Sequence, residues 1–317
     1  MAGNDSPQQT SARRQPLFVF GMARSGTSYM YRLLNSHPQI RLSYEGRMMR
    51  EGTYLYGQHK NLQDRAEFNK LLDELCQSEE EEAQNRWMIE GILARRDELF
   101  ERHSKEPSFP KLIEQVYMYP ESVPCWGNKV LRVEVCPDLL RLWPDAKVVI
   151  LIRDPRAVYS SINRYSHTRI KYATVYWNLH SHSTRQNATD PNRYLIVKYE
   201  DFVQEPRPGL EKILRHLDLW DPQVADEMLT SHPPQPESLT KWRKWLSQDQ
   251  VRVVESYCFD EMQQWGYQPE LADRAKHMGP LARGLETILE YAHGVPMDWD
   301  WWRRKHVFRR FVRTLRG

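Results

Sequence analysis

The chain has 317 residues, 40% of them hydrophobic and 27% charged, with a net charge of +3. No apolar run approaches the roughly 20 residues of a membrane span, and the N-terminus lacks the apolar centre of a signal peptide. The cysteines Cys76, Cys125, Cys136 and Cys258 show neither CxxC pairing nor metal spacing, so free thiols in a soluble, cytoplasmic protein are expected.

Residues 1–15 are polar and read as a disordered arm. From Pro16 the character changes. Leu17, Phe18, Val19 and Phe20 form the unbroken apolar run of a strand covered on both faces, and Tyr29, Met30, Leu33 and Leu34 recur at helical spacing. Gly21 and Gly26 bracket the connecting loop, GMARSGTS. Such a loop directs backbone N–H groups and the positive end of a helix dipole at one point, which suits an anion. The glycine spacing is that of the phosphate loop GxxxxGK[ST], but Thr27 stands in the lysine's place and the loop cation is Arg24. Nucleoside triphosphatases use that lysine on the terminal phosphates, so a phosphate chain handled without it is expected. The competing reading is a plain strand, turn and helix with an exposed arginine.

The next segment, HPQIRLSYEGRMM, carries Glu45 and Arg47. Residues 52–119 hold no nucleotide motif, but Phe68, Leu71, Leu72 and Leu75 at helical spacing predict helices, and this insertion is expected to build the acceptor side. The acidic run around Glu80 reads as a solvated helix or loop, and Tyr117, Met118 and Tyr119 fit either the core or an acceptor contact. Lys129 follows Asn128 in PCWGNKVLRVE.

Val148 to Ile152 predict a second buried strand, with Arg153 at its end. Asp154 is a favourable N-cap and Pro155 suits the first helical position, so a helix should start directly after Arg153. A guanidinium beside a helix start, with Ser161 in the following turns, suits a second phosphate; the alternative makes Arg153 and Arg156 surface charges. His180 and His182 are more often surface residues than metal ligands, and Asn187-Ala188-Thr189 fits a glycosylation acceptor of no consequence in the cytosol. Tyr194 to Val197 predict another buried strand, followed by Tyr199-Glu200-Asp201. The stretch PESLTKWRKWLSQDQ holds Ser238, Lys241 and Arg243 and would serve equally as a capped surface element.

In residues 298–317, seven Arg or Lys against Asp298 and Asp300 give +5, which leaves the remainder at about −2. Trp301, Phe308, Val312 and Leu315 share one helical face flanked by arginines, as in an interfacial helix at an anionic inner-membrane surface; packing back on the acidic body is the other reading. Basic charge confined to a tail argues against nucleic-acid binding. Short strands at Leu17, Val148 and Leu195 separated by helical patterns predict one α/β domain over 16–297, with a parallel sheet, helices on both faces and a ligand beyond the strand C-termini.

These motifs carry a resemblance. GMARSGTS followed by a helix and HP resembles the 5′-phosphosulfate loop of sulfotransferases that use 3′-phosphoadenosine-5′-phosphosulfate (PAPS), and VVILIRDPRAVYSSINRY resembles that family's 3′-phosphate signature. The run from RSGT through HP to a glutamate and an arginine, and the Asn128-Lys129 pair, are similar to the tyrosylprotein sulfotransferase branch. The resemblance covers about Pro16 to Pro269 and implies a P-loop NTPase-like, three-layer α/β fold with a central parallel sheet flanked by helices. It implies Arg24, Ser25, Gly26, Thr27 and Ser28 on the 5′-phosphosulfate, Arg153 and Ser161 on the 3′-phosphate, and Tyr199, Ser238 and Lys241 as further donor ligands, with Arg243 a weaker one. It also implies Glu45 as catalytic base, Arg24 and Lys129 steadying the transition state, Arg47 near the acceptor, and no metal. A carboxylate of ordinary pKa, about 4.3, is ionised at neutral pH and suits the base's task.

The chain departs from that branch in having Ser43-Tyr44 before the glutamate, where those enzymes have glycine and a second acid, which bears on the acceptor. Because the eukaryotic members are membrane-anchored, it looks more like a soluble bacterial relative. The activity implied is transfer of sulfuryl to a hydroxyl of tyrosine, a glycan, a lipid or a small molecule. The rivals are a P-loop small-molecule kinase, disfavoured by the missing lysine, and a non-catalytic nucleotide-binding scaffold at a membrane.

Overall fold

The computed structural model describes residues 14–80, 82–120, 122–166 and 169–271; residues 1–13 of the N-terminal arm and the basic tail at 298–317 lie outside the described residues. The described residues divide into two compact units, the first running up to Ile152 and again over Ser183–Gln235, the second over Arg153–His182 and again from Pro236.

The first unit is built on β1 (Gln15–Gly21), β2 (Ile40–Tyr44), β3 (Cys125–Val130), β4 (Lys147–Ile152) and β5 (Tyr194–Lys198). All neighbours pair in parallel, in the order β2-β3-β1-β4-β5. Helix α1 (Thr27–Asn35) links β1 to β2. The insertion is helical, with α2 (Met48–Gln58), α3 (Arg65–Gln77), α4 (Arg86–Ala94), α5 (Arg96–Lys105) and α6 (Phe109–Tyr117), and α7 (Cys136–Leu142) precedes β4. In the second unit lie α8 (Pro155–Ser166) and most of α9 (Ile170–Asn187). The first unit also holds α10 (Tyr199–Gln204), α11 (Pro206–His216) and α12 (Pro222–Ser231), and the second also holds α13 (Trp242–Trp245) and α14 (Gln248–Gln264).

Strand periodicity makes the layers. Successive side chains of a strand point to opposite faces, so Phe18, Phe20, Trp126, Val148 and Ile150 pack with the helical insertion, including Phe68, Leu71, Leu72 and Leu75 of α3. Leu17, Val19, Cys125, Val149 and Leu151 pack instead with Leu33 and Leu34 of α1 and Leu210, Ile213 and Leu214 of α11. Both faces of the sheet are therefore covered, which is why β1 and β4 read as continuous apolar runs, and the three-layer α/β class expected from the sequence is the one observed. Asp64 caps α3 by accepting from the Glu67 N–H. Ser108 caps α6 in the same way, with Pro110 in its first turn.

One strand differs from expectation. β5, an edge strand that pairs only with β4, is half-buried along its whole length rather than buried. Tyr117 is resolved in favour of the core, fully buried with its ring 5.0 Å from that of Trp126. Among the described residues no helix is long and apolar enough to cross a membrane.

Candidate active site

In a parallel sheet every strand ends on the same side, and ligands bind beyond those ends. The loop after β1 is at this edge. Arg24 (φ 70°) and Gly26 (φ 93°) both adopt left-handed conformations, and the Ser25 N–H donates to Met22 O at 3.0 Å. A Cβ on Gly26 would lie 2.3 Å from Cδ2 of Tyr199, the first residue of α10, so only glycine admits the Tyr199 ring against the loop. Gly26 is also the N-cap of α1, and no side chain caps the first turn. Its N–H groups and the helix dipole thus converge where the loop turns. Ser25 Oγ is buried without a hydrogen-bond partner, as fits a hydroxyl waiting for an anionic oxygen.

Glu45 directly follows β2 in a left-handed conformation (φ 51°), and its N–H donates to Lys129 O at 2.9 Å. Tyr44 and Lys129 are register partners across β2 and β3. The Lys129 ammonium donates to Glu45 Oε1, with the lysine side chain 1% exposed and the glutamate 30%. Lys129 Nζ also lies 3.9 Å from the centroid of the Tyr44 ring. The Tyr44 hydroxyl in turn is 2.9 Å from Ser28 Oγ, in the first turn of α1. One contact chain therefore joins the loop to the Glu45–Lys129 pair. Beside Glu45 opens a cleft of about 240 Å³, with Arg47, Arg50, Asn128 and Arg132 in its lining.

The second unit carries the other expected group. Arg153 follows the last residue of β4, and the Arg156 N–H donates to Asp154 Oδ1 at 2.8 Å, so Asp154 caps α8 with Pro155 in the first helical position. Arg153 and Arg156 are 9% and 5% exposed, which rules out the surface-charge reading. Arg153 Nη2 donates to Ser238 O at 2.8 Å, and Arg153 O accepts from Trp177 Nε1 at 2.8 Å. Ser161 lies on α8, half-buried. Lys241 and Arg243 are committed to acids: Lys241 Nζ is 3.2 Å from Glu237 Oε1, and Arg243 forks onto both oxygens of Glu270.

A profile described as the Sulfotransferase family matches residues 16–223. This chain belongs to the sulfotransferase family. It is 25% identical over 299 residues to a protein-tyrosine sulfotransferase of Drosophila melanogaster, covering 90% of this chain but 54% of that one. A putative protein-tyrosine sulfotransferase of Caenorhabditis briggsae is 26% identical, with 69% of each chain covered. An omega-hydroxy-beta-dihydromenaquinone-9 sulfotransferase of Mycobacterium bovis is 22% identical over 52% of this chain and 47% of that one. The chain thus spans about half the length of the fly relative. Among solved structures, the sulfotransferase domain from the curacin biosynthetic pathway is similar in fold, with a TM-score of 0.50 at 15% identity, covering 82% of this chain and 100% of that one.

Several residues that shape this candidate site have no distinct mark in the sequence. Asn85 accepts from the Tyr44 N–H at 2.7 Å and donates to Tyr44 O at 3.0 Å. Asn128 does the same for Gly46, at 3.1 and 2.8 Å. Glu45 is thereby held between two residues whose backbones are each clamped by a buried amide. Glu79, expected to be solvated with the rest of its acidic run, is instead 1% exposed; it accepts from the Met48 N–H at the start of α2 and from Asn85 Nδ2 at 2.7 Å. Burial pushes its carboxyl up to about 7, against the opposing effect of these donors. Arg156 is the counterpart in the second unit. Burial alone would weaken its hold on the proton, but the Asp154 and Glu255 carboxylates, the latter at 2.7 Å, outweigh it.

Proposed function

We propose that this chain transfers the sulfuryl group of PAPS to a hydroxyl acceptor by direct in-line displacement. The acceptor oxygen bonds to sulfur as the bond from sulfur to the 5′-phosphate oxygen breaks, 3′-phosphoadenosine-5′-phosphate (PAP) leaves, and the acceptor proton passes to the Glu45 carboxylate. Lys129 and Arg24 face the charge that grows on the departing phosphate, an electrostatic contribution that a buried, preoriented ammonium makes without reorganisation. Arg24, Ser25, Gly26, Thr27 and Ser28 bind the 5′ end with Tyr199 alongside, and Arg153 with Ser161 binds the 3′-phosphate, with Ser238 and Lys241 as lesser contributors.

The observation that carries this reading is the pairing of the buried Lys129 ammonium with the accessible Glu45 carboxylate at the ends of β2 and β3, tied to the phosphate loop through Tyr44 and Ser28. A protein tyrosine is the acceptor named for the fly relative, and it is the acceptor proposed here. Three arginines in the cleft beside Glu45 support a peptide with acidic groups near its hydroxyl. The test uses the purified chain with radiolabelled PAPS on a cell extract fractionated into protein, lipid, glycan and small molecules. Label on tyrosine supports the proposal; label in lipid would replace the peptide by a hydroxylated lipid; Mg²⁺-dependent ATP turnover without sulfate transfer would overturn the reading.

A further inference from the structure

Tyr44 touches both halves of the chemistry. Its hydroxyl is 2.9 Å from Ser28 Oγ in the uncapped first turn of α1, and its ring face is 3.9 Å from the Lys129 ammonium. The ring angle is held edge-on by Tyr31, with centroids 5.1 Å apart, and the Tyr44 backbone is clamped at both polar groups by Asn85. The side chain has little freedom to leave either partner.

Building on the donor-binding reading above, we propose that Tyr44 is a positioning residue that aims the Ser28 hydroxyl at the donor's 5′-phosphate by donating its own O–H to Ser28 Oγ. A hydroxyl donates one hydrogen and accepts others. With Tyr44 donating to Ser28 Oγ, the single Ser28 hydrogen is left for a phosphate oxygen. Two hydrogen bonds in series that end on an anion polarise and strengthen each other. The opposite polarity, with Ser28 donating to Tyr44, would turn serine lone pairs toward the phosphate, so a bound anion selects the first arrangement. The ring meanwhile offers its negative face to Lys129, and the ammonium is held by Glu45 and the aromatic face together. A carboxylate at position 44 would compete with Glu45 for Lys129 and repel the phosphate; a phenol does neither.

The test is calorimetric PAP binding to the full chain as wild type, Tyr44→Phe, Ser28→Ala and the double variant. Tyr44→Phe keeps the ring on Lys129 and loses only the hydroxyl, and it is expected to weaken PAP about fivefold, the scale of one net hydrogen bond, with its melting temperature unchanged. Ser28→Ala is expected to weaken PAP at least as much. Adding Tyr44→Phe to Ser28→Ala is expected to change nothing further, because the middle of the relay is already gone. A merely structural tyrosine would not produce that coupling. Wild-type affinity in Tyr44→Phe, or full additivity of the two changes, overturns the proposal. A wild type that fails to bind PAP overturns the donor reading as well.

Discussion

Glu45 and Lys129 are joined twice, once through the backbone, where the Glu45 N–H donates to Lys129 O at 2.9 Å, and once through side chains, where the ammonium donates to the carboxylate. The first bond continues the β2–β3 register by one residue beyond Tyr44. The second places a charged pair at the sheet's C-terminal edge with the lysine buried and the glutamate still reachable. An acid held this way is oriented before any acceptor arrives.

Glu45→Gln should lower sulfate transfer by about 100- to 10,000-fold, the usual contribution of a positioned general base. PAP affinity should stay close to wild type, because the proposed base acts on the acceptor and not on the nucleotide. Labelled-sulfate transfer and PAP calorimetry on the same preparation separate the two effects. A variant that loses PAP binding in proportion to turnover would remove Glu45 from the role of base.

For Arg153→Ala the order reverses. Loss of a charge-assisted bond to phosphate should weaken PAP by roughly 10- to 100-fold. Arg153 also donates to Ser238 O, so limited proteolysis around Pro236–Leu239 should quicken in the variant. Unchanged PAP affinity would show that the 3′-phosphate is held elsewhere.

Gly26→Ala should abolish PAP binding while the chain still folds. The new Cβ would collide with Tyr199 Cδ2 at 2.3 Å, and φ is 93°. A non-glycine residue there costs on the order of 1–2 kcal/mol. Trimming the ring in Gly26→Ala with Tyr199→Ala relieves the collision but not the backbone, so calorimetry should show at most partial recovery.

Glu79 makes stability depend on pH. Its carboxyl is raised by burial from 4.5 to about 7, so across that window the folded chain keeps a proton that the unfolded chain has lost. The unfolded state then binds fewer protons, and stability falls as pH rises from about 4.5 through about 7. The size is about 3 kcal/mol over the whole window. Urea midpoints at about pH 5 and about pH 7.5 should diverge in the wild type and draw together in Glu79→Gln; equal shifts in both proteins would show that another group governs the slope.

The legible features were those written in short stretches of chain. Paired glycines with Thr27 in the lysine's place, the apolar runs of β1 and β4, and Asp154-Pro155 at the start of α8 each depend on neighbours within a few residues, where propensity and capping act. The family pattern links Arg24, Glu45, Lys129 and Arg153 as candidates although they lie far apart along the chain.

Tertiary structure alone decided what those residues touch. Lys129 and Glu45 are 84 residues apart, and nothing local distinguishes a lysine that a strand buries from one that faces water. Glu79 belongs to an acidic run that composition assigns to solvent, yet the turn after β2 draws it under the start of α2. Tyr44 acquires its two partners only when β2 lies beside β3 and α1 folds back over the strand ends. β5 is half-buried at an edge of the sheet, a placement that its apolar composition does not encode. Local sequence sets backbone preference and periodicity; burial and pairing arise from chain segments meeting across the sheet, and those determine which charged and hydroxyl groups can work together.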